Sequence, residues 1–349
     1  MEKEKVLLAM SGGVDSSVSA FLLQEQGYEV IGIHFILDKS KKDFELVQDV
    51  ARKFELKLII EDISEKFQEK VIDYLVEEYS KNRTPNPCVK CNREIKFDLL
   101  KEFADKNNCE KIATGHYAQV EEKIDLNGEQ YFSLKKAIDQ TKDQTYYLYQ
   151  LNQDDLKRII FPLGGIEKKE IKEIAKKEGL SVNSKESQDI CFLSDNEKIK
   201  EFLKKEISGE IEVGKIVNEN GKVLGNHQGL VYYTLGQRKG LNLSGGPYFV
   251  IGKEEDENKL VISKDKDHSS LLFEKVKFKN VFWINSSPEE NKKYLIKTRY
   301  QGNGTQGEVF QEDDGDWIAR LDKSQWAPAS GQSLVIYDED DVVGGGVIY

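Results

Sequence analysis

A pair of closely spaced cysteines is the feature of this sequence with the clearest capacity for chemistry. Cys88 and Cys91 follow the segment 84–87, in which two residues are proline. Proline stops a preceding helix and disfavours helical backbone in the residue before it, so we expect an exposed, extended approach to the thiols. Such a pair can share a metal, form a local disulfide or act as a redox couple, and the two cysteines alone leave all three open.

The other cysteines of the chain have different surroundings. Cys109 directly precedes an apolar run at 111–118, which predicts that it packs as a small hydrophobe. Cys191 lies in the polar segment 186–192 between two helical patterns, where the alternatives are an accessible thiol and a packed side chain. A structural zinc site needs four ligands, and no second Cys-x-x-Cys completes the usual pattern, so zinc is the less favoured interpretation.

A glycine-rich loop indicates a second kind of chemistry. The strand-like run 5–10 leads directly into Ser11-Gly12-Gly13-Val14-Asp15-Ser16-Ser17, where a helical pattern opens. The glycines allow a ligand to approach the backbone closely, and helix-start amides with neighbouring hydroxyls bind anions. The carboxylate of Asp15 can help to hold Mg²⁺ against phosphates. The string predicts a pyrophosphate site and resembles the PP-loop of N-type ATP pyrophosphatases, which cleave ATP between its α and β phosphates.

Alternating strand and helix patterns surround this loop. Apolar, β-rich runs are separated by amphipathic stretches, and the runs cover 5–10, 29–36, 57–62 and 111–118. The alternation predicts a doubly wound α/β domain with a mostly parallel sheet. Asn127-Gly128 predicts a hairpin set onto that domain.

The periodicity changes near residue 205 and does not change back. From about Gly209 the sequence is strand-like and rich in turns, with Asn220-Gly221 as a hairpin signal. We therefore expect two smaller β-rich domains after the α/β domain. The expected limits are 1–204 for a PP-loop ATP pyrophosphatase catalytic domain, 205–272 for a central β-rich domain, and 273–349 for a C-terminal β-barrel-like domain.

Charge and hydropathy restrict the partners and the location. A net charge of -11 opposes indiscriminate binding to nucleic acid, so an RNA partner would need a local basic face. The first residues include acids where a signal peptide needs cations, and no stretch reaches the roughly 18 apolar residues of a membrane span. We expect a cytoplasmic protein without a membrane partner.

Several motifs occur together and in order, and the combination resembles the tRNA-specific 2-thiouridylase family. Besides the phosphate loop, they lie at 84–97, 113–117, 142–146, 187–192 and 227–240. The similarity spans nearly the whole chain and ends in Gly344-Gly345-Gly346-Val347-Ile348. Many members of that family carry Asp where Cys88 stands, so a general-base role does not transfer to this position.

The resemblance implies functional roles for three groups of residues. Cys91 would be the nucleophilic cysteine, and Cys191 would carry a persulfide sulfur. The ATP site would be formed by Ala9, Met10, Ser11, Gly12, Gly13, Val14, Asp15, Ser16, Phe35 and Gly115. The tRNA contacts would be Asn86, Pro87, Cys88, His116, Lys142, Asp143, Gln144, Arg299, Tyr300 and Gln332. Lysine and arginine can pair with phosphates, and tyrosine can stack on a base.

The reaction that the resemblance implies uses ATP, tRNA and a sulfur-donor or persulfide-carrier protein. The C2 oxygen of a uridine attacks the α phosphate of ATP, and sulfur from Cys191 then replaces the adenylated oxygen. The sulfur either attacks C2 directly or is released as hydrosulfide when Cys91 forms a disulfide with Cys191.

Three other interpretations stay open from the sequence. Cys88, Cys91 and Cys191 can together hold a [4Fe-4S] cluster with one iron left for hydrosulfide. A different PP-loop synthetase would share residues 11–17 but not the Pro-Asn-Pro-Cys segment. A non-catalytic RNA-binding protein would need no ATP loop.

Overall fold

Five strands of the first part of the chain form a parallel sheet. The computed structural model describes residues 3–39, 44–125, 127–180, 196–207, 209, 211–313 and 315–349. The first strands are β1 (Lys5–Ala9), β2 (Glu29–Ile36), β3 (Lys57–Asp62), β4 (Lys111–Ala113), β5 (Ala118–Ile124), β6 (Gln130–Lys136) and β7 (Ile159–Ile160). The sheet has the order β3-β2-β1-β4-β7, and each neighbouring pair is parallel. The prediction of a doubly wound fold is confirmed.

Helices connect these strands. They are α1 (Val14–Glu25), α2 (Glu45–Lys53), α3 (Ser64–Phe67), α4 (Asp73–Ser80), α5 (Pro87–Cys91), α6 (Asp98–Lys106), α7 (Gln153–Arg158), α8 (Lys168–Lys177) and α9 (Asn196–Glu206). π-helical turns at Gln68–Ile72 and Asn92–Phe97 join α3 to α4 and α5 to α6. No helix in the described part of the chain is long and apolar enough to cross a membrane.

The central strand β1 shows why the sheet is covered on both faces. Val6, Leu7 and Leu8 are all fully buried. Successive side chains of a strand point to opposite faces, and Leu7 packs in one apolar cluster while Val6 and Leu8 pack in another. Both faces of the sheet therefore need a helical layer, as is usual for parallel sheets.

The central part of the chain forms a four-stranded sheet. Its strands are β8 (Gly214–Asn218), β9 (Val223–His227), β10 (Phe249–Glu254) and β11 (Lys259–Ser263), in the order β10-β11-β8-β9. The predicted hairpin at Asn220-Gly221 is confirmed, because β8 and β9 pair antiparallel and Gly221 has a φ of +77°. Leu75 and Tyr79 of α4 pack into the apolar cluster of this sheet.

The last six strands close into an antiparallel barrel. They are β12 (Leu272–Trp283), β13 (Tyr294–Lys297), β14 (Thr305–Gln311), β15 (Trp317–Trp326), β16 (Ser333–Asp338) and β17 (Asp341–Ile348). The order is β12-β15-β14-β13-β16-β17, and a pairing of β12 with β17 completes the ring. The hairpin β5–β6, predicted from Asn127-Gly128, reaches the barrel through a pairing of Lys135 with Asp341.

Two local predictions are wrong, and tertiary contacts explain both. The run 111–118 is not one strand, because β4 ends at Ala113 and the chain turns before β5 begins at Ala118. The approach to the cysteine pair is not exposed, because Pro85, Asn86 and Pro87 are buried. Pro87 also starts α5, at a helix position where its missing N–H is not needed.

The barrel holds the segment before the cysteines through backbone contact. The Thr84 amide donates to the Ser330 carbonyl at 2.8 Å, and the Gln332 side-chain amide donates to the carbonyls of Thr84 and Pro85 at 2.8 and 3.2 Å. Gly331 has a φ of +92°, and a Cβ on it would lie 2.9 Å from the carbonyl carbon of Thr84. A side chain at Gly331 would therefore separate the barrel from this segment.

We expect Gly331→Ala to lower the free energy of unfolding by more than Gly315→Ala. Both glycines have a left-handed φ, of +92° and +90°, but a Cβ on Gly315 would meet only the Gln311 side-chain amide nitrogen, at 4.0 Å. Backbone strain of about 1 kcal/mol should be common to both variants, and the clash with Thr84 should add about 1–3 kcal/mol at Gly331. Urea unfolding measures the difference, and equal losses in the two variants would contradict the proposed close contact.

Candidate active site

The phosphate loop lies between β1 and α1 and is fixed by its own hydrogen bonds. Gly12 has a φ of +77°, and a Cβ there would lie 3.0 Å from the Cβ of Leu46. The Ser16 hydroxyl donates to the Gly13 carbonyl at 3.0 Å and accepts from the Ser11 amide at 3.2 Å. Among the described residues, no side chain caps the start of α1. The first amides of this helix are consequently oriented for an anion.

A cavity of about 490 Å³, named the active cavity, adjoins the loop and brings together residues predicted for three different roles. It includes predicted ATP-site residues, the Cys91 thiol and two predicted tRNA contacts, His116 and Gln144. The ATP-site residues in its wall are Ala9, Met10, Ser11, Asp15, Ser16, Phe35 and Gly115. A Cβ on Gly115 would lie 3.2 Å from the Ser16 amide nitrogen, so the absence of a side chain permits this close approach to the loop.

Asp15 is paired with two residues outside the predicted ATP site. The Lys168 ammonium lies 2.6 and 2.9 Å from the two carboxylate oxygens, and the Tyr117 hydroxyl donates at 2.8 Å. Lys168 is itself buried and lies over the Tyr117 ring at 5.3 Å. No local pattern marks Lys168, which is one of many lysines at the start of an amphipathic helix, although Tyr117 does belong to the motif at 113–117.

His116 is a half-buried, neutral imidazole in the wall of the active cavity. Its Nδ1 lies 2.7 Å from the Thr114 hydroxyl, and its Nε2 lies 3.5 Å from the Lys96 ammonium. Because an ammonium only donates, Nε2 accepts and the ring proton resides on Nδ1. Burial, and secondarily the Lys96 charge, lower the pKa of His116 well below its usual 6.5. His116 therefore accepts a hydrogen bond without carrying charge at neutral pH.

The described cysteines differ in their exposure. Cys88 and Cys91 are both half-buried and lie one turn apart on α5, with Cys91 reaching the active cavity. Cys109 is buried, which confirms the prediction that it packs, and burial raises the pKa of its thiol. Cys191 and the segment 186–192 lie outside the described residues. Within the described ranges, no three His, Cys, Asp or Glu side chains are grouped to hold a metal.

A second cavity, of about 520 Å³, lies between the hairpin β5–β6 and the barrel. Its wall includes Asp143 and Tyr300, which were predicted tRNA contacts, together with Lys136 and Lys297, which were not. The Tyr300 ring lies 4.6 Å from the ring of Tyr147. Lysines can pair with phosphates and an aromatic ring can stack on a base, so an opening with these side chains has groups that can bind a nucleic acid.

Several predicted tRNA contacts have protein partners in this structure. Arg299 donates to the carbonyls of Trp326 and Ala327 and lies over the Trp326 ring at 5.2 Å. Asp143 is buried and accepts from the amides of Ala137 and Thr145, and burial raises its pKa. These charges hold loops in place, which sequence patterns do not reveal.

Three further predicted contacts differ in their surroundings, and Gln144 is the one of them in the wall of the active cavity. The Gln144 side-chain carbonyl accepts from the Tyr117 amide at 2.9 Å, and the Asn86 amide lies 3.5 Å from the Ser333 hydroxyl. Lys142 is half-exposed on the same loop as Asp143. The loop 142–144 thus lies between the active cavity and the second cavity.

The parallel sheet, the phosphate loop and the β-rich second half define a protein class in which a PP-loop nucleotide-binding domain precedes two β domains. Residues 4–195 match the family model described as tRNA methyl transferase HUP domain. Residues 200–264 match the PRC-barrel domain model of the same series, and residues 273–348 match the aminomethyltransferase beta-barrel domain model.

Curated relatives align with the whole length of the chain. A tRNA-specific 2-thiouridylase MnmA of Methylobacillus flagellatus is 41% identical, and the alignment covers 99% of each chain. One of Clostridium acetobutylicum is 39% identical, again with 99% of each chain covered. The chain belongs to the tRNA-specific 2-thiouridylase (MnmA) family. Among solved structures, a 4-thiouridine synthetase–RNA complex with bound ATP has a TM-score of 0.39 and 21% identity, covering 58% of this chain and 50% of that chain.

The depressed pKa of His116 makes stability depend on pH in a defined direction. An unfolded histidine binds a proton near pH 6.5, whereas folded His116 stays neutral well below that pH. The unfolded state then binds more protons, so the free energy of unfolding falls as the pH drops below about 6.5.

We expect His116→Gln to reduce this loss of stability at low pH, and Lys96→Met to reduce it in part. Urea unfolding at several pH values from about 5 to about 7.5, which bracket the usual histidine pKa, measures how the free energy of unfolding changes with pH. Burial also lowers the pKa of His227, so a residual slope should persist in both variants. A His116→Gln protein with the full wild-type slope would contradict the assignment.

Proposed function

We propose that this chain is a tRNA-uridine 2-sulfurtransferase that adenylates the C2 oxygen of the wobble uridine and replaces it with sulfur. The observation that carries the proposal is the single cavity in whose wall the phosphate loop and the Cys91 thiol meet. The names of the full-length relatives, tRNA-specific 2-thiouridylase MnmA, support it. A PP-loop family also implies the use of ATP.

Activation of the base is the first step of the proposed reaction. The uridine C2 oxygen attacks the α phosphate of ATP, the bond to the β phosphate breaks, and pyrophosphate leaves. The amides at the start of α1 and the Lys168 ammonium would bind phosphate oxygens, and the latter lies 2.6 Å from Asp15. The Asp15 carboxylate is already paired with the Lys168 ammonium. We therefore infer that Mg²⁺ enters with ATP, and that Asp15 contacts Mg²⁺ only if Lys168 moves from Asp15 toward phosphate.

Sulfur transfer is the second step. The terminal sulfur of a Cys191 persulfide attacks C2, and AMP leaves with the former C2 oxygen. The Cys91 thiolate then attacks the Cys191 sulfur, which releases the C2 thiocarbonyl and leaves a disulfide between the two cysteines. A thiol reductant must reduce that disulfide, and a sulfur-donor or persulfide-carrier protein must reload Cys191. In the alternative order, the same disulfide forms first and hydrosulfide attacks C2.

A cluster-based route is the second candidate for sulfur delivery. The observation that favours it is the placement of Cys88 and Cys91 one turn apart on α5, both half-buried. With Cys191 as a third ligand, these thiolates would hold a [4Fe-4S] cluster, which would supply iron for the delivery of hydrosulfide. In this route the two thiols on α5 would be two of the three ligands.

tRNA would contact the active cavity and the second cavity together. His116 and Gln144 lie in the first, Tyr300 lies in the second, and the loop 142–144 lies between them. We retain the predicted contacts at Asn86, Pro87, Cys88, Lys142, Asp143, Arg299 and Gln332 as part of the proposal. The domain limits 1–204, 205–272 and 273–349, and action in the cytoplasm, belong to the same proposal.

ATP chemistry provides the first test. We expect Asp15→Ala and Lys168→Met to reduce tRNA-dependent pyrophosphate release by at least about 100-fold, because each removes charge positioning at the transferring phosphate. The matched control is Lys169→Met, which changes the exposed neighbouring lysine of α8. tRNA affinity, measured by filter binding, should stay near the wild-type value. Loss of tRNA affinity with pyrophosphate release intact would contradict the assignment of this loop.

Substitution of the thiols provides a second test, in which thiolation is measured. Cys91→Ser and Cys191→Ser should lose multiple-turnover thiolation from a persulfide donor, while Cys88→Asp should retain it. Under the cluster route, Cys88→Ala should instead lower both iron content and activity in anaerobically purified protein. Thiouridine formation by Cys91→Ser at the wild-type rate over multiple turnovers would exclude the proposed role of Cys91.

A further inference from the structure

A third cavity lies where the segment before the cysteines, the central sheet and the barrel meet. It has a volume of about 420 Å³ and is named the junction cleft. Thr84 contributes to its wall from the catalytic side, Lys253 of β10 from the central sheet, and Lys275 and Lys277 of β12 from the barrel. The hydroxyls of Thr84 and Thr234 lie 2.8 Å apart across two of these walls. The proposed roles in catalysis and tRNA contact do not involve this cleft.

The charged side chains in the wall of the junction cleft have one sign. Its described wall contains three lysines, Lys253, Lys275 and Lys277, and no Asp or Glu. The whole chain has 62 acidic against 51 basic residues, so this composition runs against the average surface. The surface of an acidic protein repels anions on average. A local cationic cleft is therefore a place where such a protein can attract an anionic ligand.

Two of the three lysines form no ion pair with an acid in the described part of the chain. Lys277 lies 3.3 Å from Glu312 and 3.4 Å from Asp316, so its charge is compensated. In the described part of the chain, neither Lys253 nor Lys275 lies within 4.0 Å of an acidic oxygen, the ion-pair limit. The junction cleft therefore contains two lysines that no ion pair among the described residues neutralises.

Lys253 is the more deeply placed of the two. Its ammonium donates to the Asn82 carbonyl at 2.8 Å, and burial lowers its pKa to about 8. The charge of Glu255 offsets this effect in part without forming an ion pair, and an anion bound beside the ammonium would offset it further. Lys275 is exposed and can follow a ligand.

We propose that the junction cleft binds backbone phosphates of the tRNA, away from the target uridine, through Lys253 and Lys275. This inference rests on the proposed function, because it assumes that tRNA is the substrate. Thr84 lies in the cleft wall and Cys91 in the wall of the active cavity, and seven residues of chain span at most about 25 Å. A folded tRNA is longer than this span and can contact both places at once.

Salt dependence of tRNA binding tests the proposal. We compare wild type, Lys253→Met, Lys275→Met and the double variant with the control pair Lys222→Met and Lys323→Met. The control lysines are exposed, lie in the central sheet region and on β15 of the barrel, and remove the same total charge. Methionine retains the apolar stem of lysine, and the exposed Lys275 provides a test that does not depend on a buried substitution.

We expect the slope of log affinity against log salt to fall by about 1 for each cleft variant and about 2 for the double variant. Between 50 and 200 mM salt, a change of 2 in slope makes the loss of affinity about 16-fold smaller. The control pair should keep the wild-type slope. Equal slopes in the cleft and control variants would overturn the proposal.

A parallel measurement separates RNA phosphates from a free anion. Inorganic phosphate at fixed ionic strength should raise the melting temperature of wild type no more than that of Lys253→Met. If phosphate stabilises only wild type while tRNA slopes are unchanged, the cleft is a small-anion site and the proposal is wrong. If wild type neither binds nor thiolates tRNA, the proposed function itself fails, which is a different result.

Discussion

Parallel pairing of β1 with β2 and β4 is the constraint on which the active cavity depends. It places the carboxyl ends of all three strands at one edge of the sheet. The phosphate loop and Gly115 follow the ends of β1 and β4, and Phe35 is the penultimate residue of β2. The missing side chain of Gly115 lets its loop approach the Asp15–Ser16 backbone. Lys168 then neutralises Asp15 at the same edge. The chemistry proposed for ATP is therefore a consequence of strand order.

The barrel supplies the second requirement, which is the position of the thiol. Thr84 bonds to the barrel loop at Ser330, and Tyr146 donates to the Ser333 carbonyl at 2.7 Å. These contacts fix both ends of the wall that carries Cys91 and the loop 142–144. A β domain distant in sequence thus determines where a nucleophile meets the nucleotide loop. The Thr84–Ser330 contact also forms part of the junction cleft, so RNA bound there would meet a surface that this hydrogen bond holds in place.

Local signals and tertiary signals explain which residues could be predicted. The phosphate loop depends on glycines and serines within a few residues, and its prediction as a strand–loop–helix is confirmed. Lys168 could not be selected, because its partner Asp15 lies 153 residues away. The approach to Cys88 was expected to be exposed since prolines mark loops, but a barrel covers it. Arg299 illustrates the reverse case, in which a charge suited to phosphate also bonds protein carbonyls.

The most direct measurement follows the oxygen that the reaction removes. A tRNA carrying ¹⁸O at C2 of the target uridine is thiolated in unlabelled water, and the released AMP is analysed by mass spectrometry. Attack of that oxygen on the α phosphate predicts that AMP acquires the label in proportion to thiouridine formed. Unlabelled AMP, with the ¹⁸O released to water, would contradict adenylation of the base in the active cavity.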